Sequence, residues 1–123
     1  RLYLPFPYDL HRDHREIFYA FMVQTRSYLP LGGGIEEVWC YETPSETHLS
    51  PAYLEPGFNA NRHVDITAFL ETKLKAVEAY ASQRQSAPLP RSRHAMTALA
   101  ALRGSQIGTA AAEAFVLIRK VER

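Results

Sequence analysis

Two imidazoles stand three residues apart in Tyr8-Asp9-Leu10-His11-Arg12-Asp13-His14-Arg15. One carboxylate lies two residues before the first, and another directly before the second. Neutral imidazole is a common zinc ligand, and a neighbouring carboxylate decides which ring nitrogen is left for the metal. On a strand-to-helix turn, His11 and His14 can converge on one point. The same spacing also occurs with no function, because histidines at a helix start are commonly solvated or bonded locally. Spacing alone leaves both readings open. Asp9 and Asp13 favour a metal site, since ligating histidines usually donate their second N–H to a carboxylate or carbonyl.

The flanking residues supply such a turn. Residues 2–6 read as a short strand, closed by Pro5 and Pro7. The histidines then fall at the C-terminal end of a strand, where open α/β sheets place ligands. Residues 13–27 read as a helix whose apolar face carries Ile17, Phe18, Phe21, Met22 and Thr25, with His14 at its edge. Pro30 and Gly32-Gly33-Gly34 stop it. The glycines follow a helix rather than a strand, so they are no dinucleotide fingerprint.

A second strand is expected over 35–41, with Cys40 as a buried small hydrophobe. The polar segment 42–48 either lines a pocket or is a plain surface connection. Residues 50–62 read as irregular, and 63–66 as a short edge strand. The spacing predicts a helix over 68–83, capped by Thr67 or Asp65. Its stripe is Ile66, Phe69, Leu70, Leu74, Val77, Tyr80 and Ala81, and Glu71 and Lys75 form an i, i+4 pair. A further helix spans 92–103, with Gly104 as its C-cap. Gly108 and Ala110–Ala112 suggest close backbone packing. Residues 115–118 read as a last strand buried on both faces.

Composition narrows the class. At 123 residues the chain has room for one domain, and 46% apolar against 22% charged residues makes it globular rather than disordered. A net charge of +1 with no basic stripe argues against a nucleic-acid partner. No apolar stretch approaches a membrane span, and no secretory leader opens the chain. Cys40 is the single cysteine, which excludes an intrachain disulfide and suits a reducing, cytoplasmic compartment. The chain opens without Met directly on an apolar run. That start reads as the middle of a domain, as if its first half were absent.

Asp9-Leu10-His11-Arg12-Asp13-His14-Arg15 resembles the second signature of the PIG-L/LmbE family of zinc-dependent de-N-acetylases. The likeness continues through Tyr41-Glu42-Thr43-Pro44-Ser45, Val64-Asp65-Ile66-Thr67, Lys73 with Ala76, and Tyr80-Ala81-Ser82-Gln83. It ends with Pro90-Arg91-Ser92, Arg103-Gly104 and Ala112-Glu113-Ala114-Phe115, in the order of that family's C-terminal half. The resemblance implies an α/β, Rossmann-like LmbE-type fold, C-terminal portion only, with a mostly parallel sheet flanked by helices. Residues 1–123 would be the C-terminal part of a single de-N-acetylase domain. The implied activity is zinc-dependent hydrolysis of an N-acetyl group from an N-acetylglucosamine-like sugar. By the resemblance, His14 is a zinc ligand, and His11 is an acid or oxyanion-stabilising group beside the scissile amide. Asp13 orients a histidine. The other ligands and the base would lie in an N-terminal His-Pro-Asp-Asp half, which this sequence does not contain. Arg12 stands where Pro is frequent, His63 where a hydrophobic residue is common, and Ala111 at an often aromatic position.

Three readings follow. In the preferred one, the chain completes its active site with the N-terminal half of the same domain, as a separate chain or a missing segment, and a homo-oligomer is possible. In the second it is a non-catalytic structural or oligomerisation fragment. In the third it is a self-contained metal hydrolase using His48, His63 or His94. No chemical role is assigned to Glu113.

Overall fold

The computed structural model describes residues 1–122. Among the described residues, four strands and three α-helices follow in chain order: β1 (Leu2–Pro5), α1 (Arg12–Gln24), β2 (Glu37–Tyr41), β3 (Arg62–Asp65), α2 (Leu70–Glu78), α3 (Arg93–Ser105) and β4 (Ala112–Lys120). They form an α/β fold with an open mixed sheet in the order β1-β2-β4-β3. Among the described residues, no helix is long and apolar enough to cross a membrane.

β1 pairs with β2 in parallel, Leu4 opposite Cys40. β4 enters antiparallel to β2, with Trp39 opposite Leu117 and Tyr41 opposite Phe115. This corrects the expectation of a mostly parallel sheet. An apolar run such as Phe115–Ile118 shows that a strand is buried but not its direction. Direction is decided by how the preceding connection returns to the sheet. β4 is also longer than expected, and Ile118 is exposed rather than buried.

Two compact units make up the chain. The first comprises residues 1–62 with the chain from Phe115 onward. Strand alternation sends Leu4, Val38 and Cys40 to one face, where they pack with Phe6 and Phe18 as its buried core. Tyr3, Trp39 and Phe115 cluster with ring centroids 5.4–5.9 Å apart. α1 begins at His11, whose Nδ1 accepts from the Asp13 N–H at 3.3 Å. It ends where the Thr25 hydroxyl donates back to Met22 O, short of the expected residue 27. The chain then folds tightly on itself, and a Cβ at Gly32 would run into the Arg26 carbonyl. Arg119 of β4 ties this corner down, donating to Thr25 O at 2.8 Å and to Ile35 O at 3.1 Å.

The inward stripe of α1 is narrower than its sequence suggests. Phe18 and Thr25 are buried and Met22 packs on the core, but Ile17 and Phe21 stay exposed. Cys40 is fully buried as expected. Burial pushes its thiol up to about 12, and the charge of Asp9 acts in the same direction.

The second unit spans His63–Ala114. Ile66, Ala100 and Ala111 form its core with Leu70, and the Ile66 N–H donates to Ala111 O at 3.0 Å. The long helix expected over 68–83 is in fact a 3-10 turn (Thr67–Phe69), α2, and a second 3-10 turn (Ala81–Gln83). Asp65 does not cap α2. Its carboxylate accepts from the Thr67 N–H at 2.8 Å and hydroxyl at 2.6 Å, binding its own turn. Leu74 is buried, whereas Phe69 and Tyr80 are exposed and leave the expected stripe. Glu71 pairs with Arg93 of α3 rather than with Lys75. Ser92 caps α3, accepting from the Ala95 N–H at 3.2 Å. Gly104 is not a C-cap: it lies inside α3 and is buried. Gly108, at φ +75°, makes the turn that follows.

Two outcomes follow. A Cβ at Gly104 would stand 2.5 Å from Thr109 O and 2.8 Å from Ala111 N, both backbone atoms. Overpacking of about 1–3 kcal/mol then outweighs the helix propensity of alanine, worth at most about 1 kcal/mol. Gly104→Ala should therefore lower the urea midpoint, and an unchanged or raised midpoint would refute this packing. Cys40 should resist iodoacetamide at pH 8 in the native protein and react once unfolded. Its folded pKa lies above the ordinary value of 9.0. The unfolded thiol therefore ionises first, and stability falls as pH rises past that value.

Candidate functional site

β1 ends at Pro5, and the chain reaches α1 through a turn in which the Asp9 N–H donates to Phe6 O at 3.3 Å. The turn drives the Asp9 side chain inward until none of it is exposed. His14 sits one turn into α1, in line with Phe18 and Met22, and its ring is 18% exposed. Its Nδ1 lies 2.7 Å from Asp9 Oδ2.

That contact sets the chemistry of the ring. A carboxylate oxygen accepts, so the shared proton sits on Nδ1 and Nε2 keeps its lone pair. Among the described residues, Nε2 has no hydrogen-bond partner. His11 is arranged the other way. Its Nδ1 accepts the cap bond from Asp13 N–H, so a neutral ring carries its proton on Nε2. The two rings stack with centroids 5.1 Å apart and an interplanar angle of 16°. One turn therefore presents a lone-pair donor beside a proton donor.

Asp13 meets His11 through its backbone N–H. Its carboxylate is 3.9 Å from His11 Nδ1 and largely exposed. The histidine–carboxylate pair of this site is Asp9 with His14. Asp9 Oδ1 is buried with no hydrogen-bond partner, so the imidazole of His14 on Oδ2 is the side-chain hydrogen bond this carboxylate receives among the described residues. Asp9 also lines a cavity of about 560 Å³ with Tyr8, Arg12, Ser50 and Glu55.

Braces from distant residues hold this turn. Arg15 donates to Pro7 O at 3.1 Å and to Glu55 at 2.8 Å, and lies over the Tyr8 ring. Ser50 donates to Tyr8 O at 2.6 Å. Sequence reasoning missed Ser50 and Glu55. They lie some forty residues away, in a stretch without periodicity.

The 42–48 loop is ordered, with the Thr43 N–H donating to Thr47 Oγ1 at 2.7 Å. His48 pairs with the shielded Glu42 carboxylate at 2.9 Å, and the loop lines a second cavity of about 280 Å³ through Thr47 and His48. In the second unit, His63 bonds to Gln106 and Lys73 donates to Glu113. Among the described residues, no group of three or more His, Cys, Asp or Glu side chains could hold a metal ion.

No family model and no curated protein matches the chain.

Removing the imidazole while leaving the carboxylate should be costly. His14→Ala takes the imidazole hydrogen bond from the buried carboxylate and should destabilise by about 1.5–3 kcal/mol in urea unfolding. His14→Gln, whose amide can still donate to Asp9, should lose much less. Equal losses would show that the pair contributes nothing beyond packing. In the native protein, ¹⁵N shifts of the ring should report a proton on Nδ1 of His14, and Asp9→Ala should remove that bias.

Proposed function

We propose that this chain is the C-terminal portion of a PIG-L/LmbE-type zinc-dependent N-deacetylase, with a Rossmann-like domain completed by an N-terminal half, as a separate chain or a missing segment. One observation carries the reading: two stacked imidazoles after a strand, one backed by the buried Asp9 carboxylate and the other capping α1 through its Nδ1. A metal hydrolase needs one histidine with its lone pair free and another that keeps a proton. His14, backed by buried Asp9, suits the first role, and His11 the second. Bound zinc would polarise the amide carbonyl and acidify a water molecule.

His14 is one of the three protein ligands such a site needs. His11 would stand beside the scissile amide as an acid or an oxyanion-stabilising group, with its Nε2–H donating a hydrogen bond there. Asp13 fixes the His11 ring from its backbone N–H, and its exposed carboxylate adds negative charge nearby. The substrate is an N-acetylglucosamine-like sugar.

Two features support a completing partner. β1 has a neighbouring strand on one side only. Ile17 and Phe21 of α1 remain exposed next to a packed stripe, as residues awaiting a covering segment would. A reducing, cytoplasmic compartment suits the single buried thiol.

The test uses the chain joined to its N-terminal half, with zinc measured by elemental analysis and deacetylation by amine release. His14→Gln should lose zinc and activity together. His11→Ala should keep zinc and lose roughly 10²–10⁴-fold in kcat. Asp13→Asn should lose less than His11→Ala, because its backbone bond survives. Full zinc occupancy in His14→Gln would sink the ligand assignment. An assembled protein that binds zinc but releases no amine from N-acetylated sugars would sink the activity.

A further inference from the structure

The second unit contains a cavity that the deacetylase reading leaves unused. It has a volume of about 410 Å³, and its lining includes Arg84, Arg91, Arg93, Glu78, Gln85 and Val77. Three guanidiniums therefore meet a single carboxylate. That carboxylate is engaged, because Arg93 bonds to both Glu78 and Glu71.

Arg84 and Arg91 are differently placed. Arg84 donates Nε to the Glu78 carbonyl, a neutral acceptor. Arg91 donates Nη1 to the Gln83 amide oxygen at 2.7 Å, again neutral. Neither makes an ion pair among the described residues. The Nε of Arg91 is also buried with no acceptor. A buried guanidinium N–H without an acceptor is costly, and two unneutralised cations on one cavity wall repel each other. An anion in the cavity offsets that repulsion.

The Arg91 side chain is held in place. Gln85 accepts from its backbone N–H at 2.9 Å while Gln83 holds the guanidinium. These residues lie between α2 and the buried cap Ser92, which anchors the start of α3. A guanidinium fixed in this way presents paired donors of the geometry that phosphate oxygens accept. The cavity is larger than one phosphate needs and falls within the size range of small-ligand sites.

We propose that this cavity binds a phosphate dianion, either free or carried by a small phosphorylated metabolite, with Arg84 and Arg91 as its principal donors. The inference does not depend on the deacetylase reading. All its residues lie within one compact unit.

The probes are inorganic phosphate and glucose 6-phosphate, titrated into the full chain at constant ionic strength and followed by amide shifts in NMR. Chloride serves as the reference anion. Both probes should saturate, with shifts centred on 83–93. Arg84→Gln and Arg91→Gln should each weaken binding about tenfold or more, in line with losing a charge-assisted hydrogen bond. Arg91→Lys should not rescue it, since an ammonium cannot supply two parallel donors. Lys120→Gln, in the other unit, makes the same charge change and should bind as the parent does. Arg84 has one backbone acceptor, so its variant should keep the parent spectrum elsewhere and separate lost binding from lost fold. Tighter binding of the ester would assign the organic ligand, and equal binding the free ion. Overturning results are shifts no larger than with chloride, or unchanged affinity in Arg84→Gln.

Discussion

A carboxylate with no exposed surface, facing one imidazole at 2.7 Å, is the constraint on which the site depends. Asp9 is carried inward by the turn after β1, and His14 is placed opposite it by the first turn of α1. Taking a carboxylate out of water is costly unless it is bonded and balanced. The pair therefore keeps its arrangement only if the strand end, the turn and the helix start are all held. Arg15, Glu55 and Ser50 supply that restraint from residues remote in the chain. The chemistry open to the pair is set by the same bond. By taking the proton side of His14, Asp9 leaves the opposite nitrogen with its lone pair turned away from the carboxylate.

His11 gains its distinct character from a different requirement. A helix must satisfy its first N–H groups, and His11 does so with a ring nitrogen instead of the usual hydroxyl or carboxylate oxygen. The cap bond takes the Nδ1 lone pair, and the proton goes to the far nitrogen. Two adjacent histidines of the same type are thus differentiated by one buried acid and one backbone donor. The exposed Asp13 carboxylate is not needed for that difference.

The second unit handles charge in another way. Arg93 is neutralised between Glu71 and Glu78 and binds α2 to α3. Arg84 and Arg91 satisfy themselves only with neutral oxygens, which leaves positive potential beside a cavity. Side chains that neutralise one another hold a fold together. Side chains bonded only to neutral partners remain available for an anion.

The sequence by itself determined the local elements and the candidate histidines. β1, β2, α1 and the Ser92 start of α3 were legible because periodicity, proline and glycine breaks and cap chemistry act over a few residues. Cys40 was recognisable as core by its setting in an apolar strand. Tertiary structure alone decided the direction of β4, the exposure of Ile17, Phe21, Phe69 and Tyr80, and the early end of α2. It also decided that Gly104 serves close packing rather than a cap, and that Asp9 rather than Asp13 gives a carboxylate oxygen to a histidine. Long-range contacts such as Arg119 beside Thr25 and Ser50 on Tyr8 take part in this, and even Thr109 against Gly104 needs a turn between them that spacing does not record. Local spacing records which side chains can do chemistry. Only packing in three dimensions determines which of them are desolvated, and desolvation is what turns a histidine and an aspartate into a site.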